Sequence, residues 1–522
     1  PIEVAMLRKK LPIGIQTFSE IRREGYYYVD KTPFVAALAA SGKYYFLSRP
    51  RRFGKSLFLD TLAEAFAGNR ALFTGLYLED HWDWEKRHPV IRVNFASGVL
   101  HDPKHLEEHI HTTLERNAEA LNVSIPGRST SPAIRFDELI LAAHRHCGEK
   151  VVVLVDEYDK PILDNITEPD IARQMRDGLR NLYSVLKGRD ADLRFVFLTG
   201  VSKFSKVSIF SGLNNLRDIT LASEFATICG YTDEDVDCVF APELGDLDRD
   251  AIRHWYNGYR WGDTPVYNPF DVLLLFQERQ FRSWWFETGT PTFLVEWLKK
   301  QQFFTPSLEH TFADDELLSV FDVDHIGLEA MLWQTGYLTI AQRESDGVLT
   351  AYTLRVPNLE VRMALNRSLL AAWIPNDAEV MRHALPLRRA FAAADTQAVR
   401  QHFERLFAGI PHSWYDTSPI AQYEGYFASV FYSHLASLGL SIIAEDVSSF
   451  GRCDLTVRHH DTVWIFEFKV IHQDTPTGTA LTQIQTKNYA AKYRAPGVRV
   501  LEVGVEFSAA QRQIVGWKVG AD

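Results

Sequence analysis

The sequence predicts a multidomain α/β protein: a parallel-sheet domain around a phosphate-binding loop, a mostly helical middle with a winged-helix-like part, and a carboxyl-terminal α+β domain. Three observations carry this expectation. Residues 1–225 alternate apolar strands with helical stretches. From 226 to about 400 the pattern turns helical and aromatic, and from 401 to 522 it becomes an amphipathic helix, two short strands, another helix and a closing strand. A chain of 522 residues also exceeds what one core can hold, so three domains are expected with boundaries near 225 and 400.

The first element of interest is the apolar run Tyr44–Leu47, which leads into Ser48-Arg-Pro-Arg-Arg-Phe-Gly-Lys-Ser56. A strand followed by Gly54-Lys55-Ser56 at the start of a helix suits a nucleoside triphosphate. Backbone N–H groups wrap the phosphates, the lysine reaches the β and γ phosphates, and the serine hydroxyl takes Mg²⁺. A standard loop opens on glycine five residues before Gly54, where this chain has Arg49. The competing reading is an exposed basic turn.

The strand Val151–Val155 supports the nucleotide reading, because five apolar residues end in Asp156-Glu157. Ligands of parallel α/β sheets sit beyond the carboxyl ends of the strands, so Asp156 would hold the Mg²⁺ shell and Glu157 would polarise an attacking water. A further strand, Leu193–Leu198, ends in Thr199-Gly200. The Thr199 hydroxyl either senses the γ-phosphate or caps the strand.

Composition bounds the rest. With 46% hydrophobic and 24% charged residues and no apolar run long enough for a bilayer, a soluble cytoplasmic protein without a membrane partner is expected. Cys147, Cys229, Cys238 and Cys453 lack metal-ligand spacing. A net charge of −11 excludes a generally basic nucleic-acid coat, so any polyanion site must be a local patch. His101, His105 and His109, with His111 nearby, have helical metal spacing. Asp102-Pro103 reads more simply as a helix start whose histidines lie on a solvated face. His144, His146, His459 and His460 carry no stronger signal.

In the middle region, Trp255-Tyr-Asn-Gly-Tyr-Arg-Trp261 and Trp284-Trp-Phe286 are the densest aromatic clusters, suited to a core more than to base stacking. Residues 317–336 are expected to be helical, followed by a hairpin turning at Ser345-Asp-Gly347. The stretch 375–415, with Pro375, Pro386 and Pro411, marks a boundary.

The second chemical constellation is carboxyl-terminal. In Val463–Val470, Glu467 and Lys469 stand two apart in an apolar strand and share a face. Asp454, after Gly451-Arg-Cys, supplies a second carboxylate, and the two could share a Mg²⁺ while Lys469 neutralises a phosphate or orients water. Glu424 lies on one helical stripe with Phe427, Phe431 and Leu435. A structural Glu467–Lys469 pair is the alternative. The run Gln483-Ile-Gln-Thr-Lys-Asn-Tyr489 adds a polar helical ridge that could back the site.

These residues resemble a known superfamily. Glu, Gly-Arg-x-Asp, Glu-x-Lys and Gln-Ile-x-x-Lys-x-Tyr look like PD-(D/E)XK nucleases, which implies a restriction-endonuclease-like fold. Together with Arg51–Ser56, Val155–Asp159, Ser211-Gly-Leu-Asn-Asn-Leu216 and Trp255–Tyr259, the chain resembles a bacterial group that joins an AAA-like ATPase to such a domain. The resemblance implies metal at Asp454 and Glu467, a catalytic Lys469, Glu424 as the helix acid and Gln483 as the accessory polar residue, with Gln485 competing. It implies ATP at Arg52, Gly54, Lys55 and Ser56, Mg²⁺ as cofactor, and DNA or RNA as partner. Arg49 then departs from the general loop but not from the group's own. Arg217 and Arg180 are candidate arginine fingers, and a finger from a neighbouring subunit would require a homo-oligomer. A nucleotide-switched protein with a nuclease-like platform that only binds is the other function such an arrangement allows.

Overall fold

The computed structural model describes residues 8–203, 209, 215–289, 305–315, 318, 321–322, 325–373, 382–410, 424–449, 451–472 and 475–521. The chain divides into two compact units, Pro1–Trp285 with Phe312–Thr353, and Phe286–Thr311 with Leu354–Asp522.

The first unit is built on β1 (Tyr44–Ser48), β2 (Val90–Asn94), β3 (Val151–Asp156), β4 (Leu193–Gly200) and the short β5 (Arg217–Asp218), parallel in the order β2-β3-β4-β1-β5. Strands β1 and β3 are buried at every position, which is why they read as continuous apolar runs instead of alternating ones. The order matters for chemistry. Strand β4 separates β1 from β3, with Leu47 paired to Thr199 and Val155 to Leu198, so the loop after β1 and the acids after β3 leave the same sheet edge about 10 Å apart.

The helix Lys55–Phe66 starts inside the loop and buries Phe58, Leu59, Leu62 and Phe66. A second small sheet runs β6-β10-β9, from β6 (Thr311–Asp314), β9 (Thr339–Ser345) and β10 (Thr350–Arg355), with the two-stranded pair β7 (Phe321–Asp322) and β8 (His325–Ile326) between β6 and β9 in the chain. The expected hairpin is present. The expected helix is shorter: it spans Leu328–Thr335, because the β7–β8 pair occupies part of the preceding stretch.

The second unit carries a five-stranded sheet where the sequence suggested fewer strands: β11 (Ser441–Ser448), β12 (Gly451–His459), β13 (Thr462–Ile471), β14 (Arg499–Ser508) and β15 (Gln513–Ala521), in sequential order. All neighbours are antiparallel except β13 and β14. The helix Glu424–Ser437 packs on one face, where Phe427 stacks on Phe507 at 3.9 Å and Phe431 meets Phe468 at 4.8 Å. The helix Thr479–Thr486 covers the other face through Ile484 and Ala480, both fully buried. Among the described residues no helix is long and apolar enough to cross a membrane.

Candidate nucleotide and carboxylate sites

The loop after β1 is shaped by two left-handed residues, Arg52 at φ 65° and Gly54 at φ 93°. Gly54 caps the helix and adopts this φ without the steric cost a side chain would bring. Lys55 is 4% exposed, and its Nζ donates to the Pro50 carbonyl at 3.0 Å, closing a ring of main chain around the place a phosphate would take. Its Nζ also lies 3.9 Å from Glu157 Oε1. Asp156 is buried near Ser56 and Lys55, and its carboxyl is raised above its ordinary value by burial first and by Glu157 second. Loop, lysine, hydroxyl and acid thus meet, and the donor set fits a triphosphate with its divalent cation. Glu157 has φ 51°, an uncommon conformation for glutamate, and its N–H bonds Asp156 Oδ1 at 3.0 Å.

Arg49 is no exposed basic turn. It is fully buried, and its guanidinium donates to the carbonyls of Ser48 (2.8 Å), Thr220 (3.0 Å) and Phe225 (3.2 Å) while stacking 4.2 Å over the Trp261 ring. Burial pulls its pKa down to about 10. The rest of the loop is clamped from the same module: Phe53 meets Tyr259 at 4.8 Å edge-on, Trp285 Nε1 donates to the Arg51 carbonyl at 3.0 Å, and Arg52, itself exposed, stacks 4.1 Å over Phe270. Tyr259, Trp261 and Trp285 of the aromatic clusters are therefore core and form the underside of the loop, whereas Trp255, Tyr256 and Trp284 pack into a second core with Tyr27 and Phe240.

Thr199 is fully buried and its hydroxyl donates to the Leu47 carbonyl at 2.8 Å, a link between strands rather than toward the acids. Arg217 pairs with Glu224, and Arg180 is exposed on the helix Pro169–Gly188. The motif from Ser211 lies outside the described residues except at Asn215 and Leu216. The histidines of Pro103–Ala120 take separate partners: His105 faces Asp102, His109 bonds the Asn94 carbonyl, and His111 is buried against Arg135, while Asp102 caps the helix as expected.

In the second unit the β12–β13 ladder stops at Leu455 and Phe466, and there the Asp454 carboxylate accepts the Phe468 N–H at 2.7 Å in place of a strand. The strands part, and Glu467 fills the opening. It is 2% exposed, Oε1 takes the Gln483 amide and lies 3.6 Å from Lys469 Nζ, and Oε2 is buried without a hydrogen-bond partner. Burial first, then Asp454, pushes its carboxyl up to about 8, against the pull of Lys469. An orphaned buried carboxylate oxygen beside a second carboxylate is what a divalent cation would satisfy. Among the described residues no three His, Cys, Asp or Glu side chains already form a cation cage. Glu424 opens its helix, and its side chain lies outside the described ones.

The structure separates the two glutamines. Gln483 reaches Glu467, whereas Gln485 Nε2 lies where a Cβ on Gly520 would be, 2.8 Å away, over β15. The ridge is also broken: the helix ends at Thr486, Asn488 is left-handed, and Tyr489 begins a separate 3₁₀ turn.

A family model described as "Predicted AAA-ATPase" matches residues 12–210, and one for the PD-(D/E)XK nuclease superfamily matches 422–517. The chain is 57% identical over 515 residues, 98% of its length and 99% of the relative's, to "Uncharacterized protein in vnfD 5'region" of Azotobacter chroococcum mcd 1. The chain belongs to this family of AAA-ATPase-like proteins with a carboxyl-terminal PD-(D/E)XK domain. No solved structure matches it.

For this AAA-ATPase-like PD-(D/E)XK protein, two structural participants escaped the sequence reading. Asp159 is fully buried and accepts from Val201 N (3.1 Å), Ser202 N (2.6 Å) and Ser202 Oγ, clasping the chain after β3 to the end of β4. Burial, then Glu157, raises its carboxyl to about 6. The second is Gly504, opposite Glu467 in the β13–β14 register, over which Leu481 sits. Asp159 was visible only as the last letter of Val155–Asp159, and a lone glycine in an apolar strand signals close backbone approach.

Proposed function

We propose that the carboxyl-terminal domain is a Mg²⁺-dependent phosphodiesterase acting on DNA or RNA, and that ATP bound and hydrolysed at the loop controls it. The observation carrying this reading is the buried, unpartnered Glu467 Oε2, flanked by Asp454, Lys469 and Gln483. Asp454 and Glu467 would hold the metal, with Glu424 as the helix acid. Lys469 would neutralise the scissile phosphate or orient water, and Gln483 would fix the Glu467 carboxylate. In the first unit Lys55, Gly54 and Arg52 would bind the phosphates, Ser56 and Asp156 the Mg²⁺ of ATP, and Glu157 the attacking water. Thr199 would act through the strand it ties to Leu47. The setting is the cytoplasm, with no membrane partner, and a homo-oligomer would let a neighbouring subunit supply an arginine.

Incubation with Mg²⁺ or Mn²⁺, DNA and RNA in single- and double-stranded forms, with and without ATP, tests the proposal beside Asp454→Ala. ATP-dependent cleavage by the native chain and none by the variant is expected. Cleavage that survives the substitution overturns the site, and silence on every substrate favours a platform that only binds. Unchanged ATP affinity in Lys55→Ala removes the loop.

A further inference from the structure

Arg49 stands where a standard phosphate loop has glycine, and its position is costly. A fully buried guanidinium gives up its water, yet its recorded hydrogen bonds go to three main-chain carbonyls and a tryptophan face, and Nε has no hydrogen-bond partner. Among the described residues no carboxylate lies within ion-pair distance of it, and Asp218, the carboxylate whose charge does act on it, is paired with Lys203 at 2.6 Å. The residue adjoins the candidate phosphate site, because Lys55 Nζ donates to the carbonyl of Pro50, the residue that follows Arg49. Arg49 begins the loop that Lys55 closes, and the buried thiol of Cys229 feels Arg49, Lys55 and Asp156 together.

We infer that Arg49 is a positioning residue whose incompletely balanced charge is compensated by the nucleotide polyphosphate: a fixed cation beneath the loop that favours ATP over ADP through the extra negative charge. This rests on the reading of the loop as an ATP site. A cation sealed from solvent acts on a nearby anion with little salt screening, whereas exposed Arg52 acts on the same anion through water. The three carbonyl bonds and the Trp261 stack hold the guanidinium in place, so the field needs no rearrangement on binding.

The test measures ATP and ADP affinities and melting temperatures of the full chain, with Arg49→Met, Arg49→Lys and Lys55→Ala. Arg49→Met removes a desolvated charge but leaves the carbonyls of Ser48, Thr220 and Phe225 without their donor, so a modest fall in melting is expected. ATP affinity should fall about tenfold or more, ADP affinity clearly less, and the ATP loss should persist at high salt while that of Arg52→Gln fades. Arg49→Lys keeps the charge and should keep the ATP preference even if melting falls. Equal losses of ATP and ADP in Arg49→Met would make Arg49 a strut and overturn the inference. Loss of the ATP preference in Arg49→Lys would do the same. A native chain that fails to bind ATP, or a Lys55→Ala variant that binds it equally well, sinks the loop reading itself, and the inference with it.

Discussion

Gly504 seats Leu481: a Cβ on Gly504 would fall 2.8 Å from Leu481 Cα. Because Gly504 also pairs with Glu467 across β13 and β14, this one close approach sets the height of the helix that delivers Gln483 to the carboxylate. Gly504→Ala is therefore expected to lift the helix Thr479–Thr486, cost about 1–3 kcal/mol of stability, and abolish metal-dependent cleavage. Denaturant unfolding beside a cleavage assay reads both, and a variant of native stability and activity would show that the helix can shift freely.

The two glutamines should separate in function. Gln483→Ala is expected to weaken divalent-metal binding and cut cleavage by about tenfold to a hundredfold, as loss of a group orienting a ligand does, while Gln485→Ala leaves both near native. Equal losses from the two substitutions would contradict the geometry.

Metal binding at the proposed Glu467 site is expected to depend on pH. Its folded carboxyl is raised from an ordinary value of 4.5 to about 8, so the metal-free fold holds a proton that the unfolded chain has released across that window. Stability from this group is full below 4.5 and is lost as pH rises through the folded value. Metal must displace the same proton, so Mn²⁺ affinity should climb from pH 6 to 8 and then level. Calorimetric titration should also show proton release, and a flat pH profile would argue against Glu467 as ligand.

The opposite sign applies to His402 and His434, whose Nε2 atoms lie 2.7 Å apart in the second unit. One must donate and the other accept, so the two cannot both be protonated. Burial lowers His402 from 6.5 to about 4 and His434 well below its ordinary value. The unfolded chain then binds more protons, so their contribution is full above 6.5 and drains as pH falls toward 4, by about 3 kcal/mol at most for His402. Acid unfolding by circular dichroism should begin below pH 6.5 and shift lower in His434→Phe. An unshifted curve would remove the pair from the explanation.

Gly336 has φ 92° and lies against the loop, where a Cβ would meet Pro50 at 2.8 Å. Gly336→Ala should weaken ATP binding about tenfold without touching any phosphate-binding side chain. Native affinity in a folded variant would show the loop to be insulated from this turn.

What the sequence determined by itself was whatever is written locally. Strands β1 to β4, the glycine-lysine-serine turn, the acids after β3 and the Glu467–Lys469 alternation follow from apolar periodicity and short spacing, which survive in one dimension. Strand β11, the closing pair β14 and β15, and the stop at Thr486 were less legible, because sheet membership depends on partners far along the chain. Only the tertiary structure decided that Arg49 is interior, that Gln483 and not Gln485 meets the acid, and that Asp159 clasps β3 to β4. Each outcome rests on which elements stack and at what height: Trp261 beneath Arg49, Gly504 beneath Leu481, and Ser202 beside Asp159. These contacts join residues from about 20 to more than 200 positions apart, and a buried polar group takes whatever partner the packing brings within reach.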